Sequence, residues 1–97
     1  MKQAIFRPAA AADVEEACRW YEQQRSGLGG EFLLSLDATL RAIGEQPEQY
    51  PVLHRATRRA LLARFPYGLY YRIHGDLLVI IACMHARRDP KMWQRRR

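Results

Sequence analysis

LLVIIACMH, residues 77–85, is the stretch on which the fold turns. Eight apolar residues precede one histidine, too few to cross a membrane and the length of a strand. A strand with one wet face alternates polar with apolar; this one does not, so it lies centrally in a sheet with cover on both faces. Working outward, HGD at 74–76 reads as a compact hairpin turn, preceded by YGLYYRI (67–73) and ALLARF (60–65), both strand-like in length and side-chain type. The second half is therefore an antiparallel meander. Tyr67 and Tyr71 share a strand face with Leu69 and Ile73 and belong to the core, whereas Tyr70 and Arg72 lie on the opposite face.

The first half has a different period. QAIFR (3–7) alternates weakly up to Pro8 and predicts a short strand. Val14, Ala17, Cys18 and Tyr21 form the apolar stripe of a helix from about Ala10 to Arg25, ended by Gly27. Phe32, Leu33, Leu36, Leu40 and Ile43 mark a second helix from about Gly30 to Glu45, stopped by Pro47. Joined by a few residues, the two helices pack antiparallel. This hairpin covers one face of the sheet, and the C-terminal tail or another chain covers the other. Residues 46–57 read as a loop. The fold class is α+β: a short N-terminal strand, an antiparallel helical hairpin on an antiparallel β-meander, and a basic C-terminal tail, in one domain over 1–97.

Ninety-seven residues with 48% hydrophobic content suit a single soluble domain. MKQAIFRP has no apolar core of a secretory signal, which predicts a cytoplasmic protein without a membrane role. Cys18 and Cys83 sit among apolar residues with no ligand spacing and read as reduced core thiols. The net charge of +6 is uneven: residues 1–50 carry −3 and residues 51–97 carry +9. Fourteen of the sixteen cations are arginine, which favours bidentate contact with phosphate or carboxylate on a surface built from the second half.

RNA cleavage at a 2′-hydroxyl needs a base, an acid for the leaving oxygen, and cations for the phosphate. His85, with Arg87 and Arg88 beside it and Arg72 across the hairpin, are the residues of the right type. Tyr70 and Arg72, with Arg58, Arg59 and Arg64, form the candidate binding surface, since no acid interrupts residues 55–75. His54 and His74 lack acidic neighbours at metal-ligand spacing, so neither a metal nor a cofactor is expected. Glu15, Glu16 and Glu22 read as a solvated helix face. In HARRDPKMWQRRR (85–97), Pro90 and Trp93 predict an ordered first part, with Trp93 packed on apolar side chains and Arg87 or Arg88 free for a partner's carboxylates, followed by a mobile QRRR.

With WYEQQRSGLGGEFL in the helices, RFPYGLYYRI in the middle strand and HARRDPKMW at the end, nearly the whole chain resembles the RelE/ParE superfamily of bacterial type II toxins, in its ParE-like, plasmid-stabilisation branch. The resemblance implies a growth-inhibiting toxin held in a hetero-oligomer by a cognate acidic antitoxin. It also implies one of two targets: DNA gyrase, poisoned without catalysis, or the ribosome, where RelE-type members cleave messenger RNA. The arginine that RelE-type members carry early in the middle strand falls on Gly68. Their later arginine falls on Arg87, and their terminal tyrosine on Trp93, whose indole cannot transfer a proton as a phenol can. The leading expectation is therefore a gyrase inhibitor bearing Arg58, Arg59, Arg64, Tyr70, Arg72, Arg87, Arg88 and Trp93 on its antitoxin or target surface. The alternatives are a ribosome-dependent messenger RNase using His85, Arg87 and Arg72, or a non-toxic binding module of the same fold.

Overall fold

The computed structural model describes residues 2–97. Its strands are β1 (Gln3–Phe6), β2 (Val52–His54), β3 (Thr57–Leu61), β4 (Tyr67–His74) and β5 (Leu77–His85). The helices are α1 (Pro8–Gln24), α2 (Leu28–Glu45) and the short α3 (Lys91–Gln94). One five-stranded sheet runs β1-β5-β4-β3-β2, with β1 parallel to β5 and the other pairs antiparallel.

As expected from its unbroken apolar run, β5 is central, flanked by β1 and β4. The β4–β5 register shifts between Tyr70 and Tyr71: Tyr70 pairs with Ala82 but Tyr71 with Ile80. The extra residue, Ile81, makes a bulge, so Ile81 and Ala82 both join the cluster on the outer face. Leu78, Ile80 and Cys83 pack on the opposite side, against the helical hairpin, with Phe32, Leu36, Ile43, Leu69 and Tyr71. Tyr67 and Ile73 adjoin that core, as their shared face with Leu69 predicts.

Several expectations need correction. The stretch 46–57 is not simply loop: Pro47–Gln49 is a 3-10 turn and Val52–His54 adds an edge strand. The predicted strand over 60–65 instead runs from Thr57 to Leu61, and Arg64 beyond it takes a left-handed φ of 72° that leaves the strand direction. Helix α1 ends at Gln24 with Arg25 as its cap, as expected, but Gly27, with φ 90°, caps the start of α2 instead of closing α1. Glu22 accepts hydrogen bonds from the amides of Gly27 and Gly29. Glu22 is exposed, as a residue of the solvated helix face should be, and it also caps α2, because the tight interhelical turn brings the orphan amides back to its carboxylate. In α2, Leu33 is exposed and Thr39 takes a place on the buried stripe.

Candidate functional site: the outer face and the end of the central strand

The outer face of the sheet carries Tyr70, Val79, Ile81, Ala82 and Met84, covered by Trp93. The residues HARRDP turn the chain back after β5, and α3 then lays the indole on Tyr70, with ring centroids 4.6 Å apart and planes 25° from parallel. His54 meets the same indole edge-on at 6.2 Å. Trp93 is thus packed on apolar side chains, as expected. Tyr70 does lie on the face opposite Tyr71, but at 1% exposure it is a floor for Trp93 and presents no ring to a ligand.

The arginines differ in how far they are committed within the fold. Arg72 donates through Nε to the Thr57 hydroxyl and through Nη2 to the carbonyl of Arg96. Arg58 donates to the carbonyls of Glu48 and Tyr50, pinning the 3-10 turn to β3. Arg64 is exposed but paired with Glu31, an acid from α2 that also holds Arg25. The absence of acids between residues 55 and 75 therefore does not leave this arginine uncompensated. Arg87 and Arg88 are exposed in the turn after β5 and form no ion pair among the described residues. Arg59 pairs with Tyr70 across β3–β4, and its stem crosses Gly68: a Cβ there would lie 2.9 Å from both Arg59 Cγ and Cδ. The strand position at Gly68 has no cation of its own, and the arginine of the neighbouring strand lies over it.

The expected juxtaposition of His85 with Arg72 does not exist. Arg72 stands opposite Val79, whereas His85 stands opposite Tyr67, five residues along β4 and about 17 Å away at strand spacing. The two also point to opposite faces. His85 sits edge-on to Tyr67 with centroids 5.7 Å apart, and Tyr67 packs against the helix-side core. His85 lines a cleft of about 450 Å3 with Glu16, Trp20, Tyr67 and Arg88, between α1 and the end of β5. Its Nδ1 accepts from the amide of Arg87, so the neutral ring carries its proton on Nε2. Burial raises the Tyr67 phenol above its ordinary value, which keeps it protonated near neutrality. The Cys83 thiol is pushed to about 12 by burial and by the Asp13 charge, and Cys18 is likewise free of any disulfide. Among the described residues, no group of three His, Cys, Asp or Glu side chains is placed to hold a metal ion. No described helix is long and apolar enough to cross a membrane.

Sequence reasoning missed the group that ties the tail down. Arg96 does not belong to a loose end: it forms a two-point ion pair with Asp13 of α1 and also donates to the carbonyl of Ile81. The reason is a partner 83 positions away. A signal was present in the helix, because Asp13 lies three residues after Ala10 and four before Ala17, the two buried residues of α1, and so stands on the buried side.

Residues 4–90 match the family model described as ParE toxin of type II toxin-antitoxin system, parDE. Among solved structures, the chain is similar to one described as a chromosomal ParDE TA system from P. aeruginosa, at 16% identity and a TM-score of 0.65, over 88% of this chain and 96% of that one. No curated protein gives a significant match. At that identity the structural likeness speaks for the fold, which agrees with the short N-terminal strand, helical hairpin and sheet described above. The match over residues 4–90 assigns the function class: the chain belongs to the ParE toxin family of type II toxin–antitoxin systems.

Proposed function

We propose that this protein inhibits DNA gyrase by protein–protein contact, with no catalytic step of its own, and is neutralised by a cognate acidic antitoxin. The observation that carries this reading is the separation of His85 from Arg72, with Arg72 committed to Thr57 and the tail while Arg87 and Arg88 remain exposed. A phosphoryl-transfer site needs its acid, base and cations around one phosphate. A contact surface needs only accessible guanidinium groups, which suit carboxylates on either an antitoxin or an enzyme target. Purified protein added to a gyrase supercoiling reaction should suppress supercoiling and accumulate cleaved DNA. Unaffected supercoiling at saturating protein would reject the reading.

One observation favours ribosome-dependent messenger RNA cleavage as the second reading. His85 and Arg88 line one cleft, which sets a group able to transfer a proton beside a cation. Mapped cuts in translated message, lost on His85→Ala, would establish it.

A further inference from the structure

β5 outruns its neighbour. β1 stops at Phe6, opposite Ile80, and the chain turns into α1 at Pro8, while β5 continues to His85. Beyond Ile80 one side of the central strand therefore has no strand beside it. On this side two backbone groups on either side of Ala82, the Ile81 carbonyl and the Cys83 amide, find their partners in side chains and not in a strand. An apolar strand with an unpaired edge is a template for pairing with another chain.

Two side chains stand where the missing strand would be. Asp13 Oδ2 accepts from the Cys83 amide at 3.0 Å, and Arg96 Nη1 donates to the Ile81 carbonyl at 3.2 Å. The same Nη1 binds Asp13 Oδ2, and Nη2 reaches Oδ1 at 3.2 Å, so the acceptor and the donor are locked to each other. Both are largely buried, with side-chain exposures of 15% for Asp13 and 24% for Arg96. A neighbouring strand would offer a carbonyl to the Cys83 amide and an amide to the Ile81 carbonyl. The carboxylate and the guanidinium offer that same polarity. The tail is positioned for this by Trp93 on Tyr70 and by Arg72 on the Arg96 carbonyl.

We propose that Asp13 and Arg96 form an edge plug, a side-chain substitute for a strand, which prevents β5 from pairing with a second copy of this chain. The pair is more than a tether for the tail, because the polarity of each member matches the backbone group it faces. This inference is independent of whether gyrase or the ribosome is the target.

The test uses the full chain with Arg96→Ala, with Asp13→Ala, and with the exchanged pair Asp13→Arg/Arg96→Asp, each checked for native circular dichroism. Exchange of the Cys83 amide with solvent deuterium should accelerate by about tenfold or more in Asp13→Ala, since that amide loses its acceptor. Sedimentation should show concentration-dependent association of both single variants, where the parent stays monomeric. The exchanged pair should associate as well, because it sets a cation against the Cys83 amide and an anion against the Ile81 carbonyl. If the single variants fold and stay monomeric, or if the exchanged pair restores the monomer, the pair is an ordinary tether and the proposal is wrong. Should Asp13→Ala fail to fold, Arg96→Ala decides alone: its association supports the plug, and its persistence as a monomer overturns it.

Discussion

The two faces of the sheet are buried by different means. On the helix side, Tyr21, Phe32, Phe65 and Tyr67 form an aromatic cluster whose members come from both helices, the β3–β4 connection and β4. That face is closed by the order of the fold itself. The outer face is closed by a short segment whose backbone hydrogen bonds are all local, from Met92 to Asp89, from Trp93 and Gln94 to Pro90, and from Arg96 to Trp93. Side-chain contacts hold it to the rest of the domain: Trp93 on Tyr70 and His54, Arg96 on Asp13 and the Ile81 carbonyl, and Arg72 on the Arg96 carbonyl. Losing a contact should therefore cost the whole domain on the first face, and mainly the tail on the second.

The largest effect should come from the helix side. Phe32 is fully buried, stacked on Tyr21 and edge-on to Phe65 and Tyr67. Phe32→Ala should cost about 3–5 kcal/mol in denaturant unfolding, through lost burial and the cavity left behind. Trp93→Ala should cost less, about 2–3 kcal/mol, because the strap can resettle over Tyr70 and Met84. If thermal melts place the two variants together, the faces are equally integral and the contrast fails.

The smallest of the three effects is acid-dependent and lies at the helical turn. The amides of Gly27 and Gly29 hold the Glu22 carboxyl below its ordinary value of 4.5, and Arg64 and then Arg25 do the same for Glu31. A carboxyl with a lower value in the folded than in the unfolded chain stabilises the fold above 4.5 and loses that contribution as pH falls through the folded value. Melting temperature should therefore decline on acidification below about pH 4.5, and Glu22→Gln should make the decline shallower. An unchanged acid limb in this variant would show that the Glu22 cap adds nothing to stability.

How much of this was legible depends on the distance over which each residue finds its partner. The central position of β5, the helical hairpin, the Tyr67/Tyr71 core face and the packing of Trp93 follow from local pattern and chain order. β1 was legible in the weak alternation of QAIFR, whereas β2 was not, because it is three residues long and largely exposed, so burial leaves no period in VLH. The partners of Glu31 and Asp13 are Arg64 and Arg96, 33 and 83 positions away, so local spacing could place Asp13 on the buried side of α1 but could not name the arginine it meets. The misplaced pairing of His85 with Arg72 is a different case. The two-residue turn at Gly75–Asp76 sets His74 opposite Leu77, and counting back from there puts Arg72 opposite Val79. The register was in the sequence, and the turn was the place to start counting.

Contact without catalysis is the central claim, and growth on induction without antitoxin tests it most directly. The comparison is His85→Ala against the double variant Arg87→Ala/Arg88→Ala, with melts confirming that both fold. The exposed arginines should be needed and the histidine should not: His85→Ala should arrest growth like the parent, while the double variant should grow. Loss of arrest in His85→Ala with arrest retained in the double variant would contradict the account.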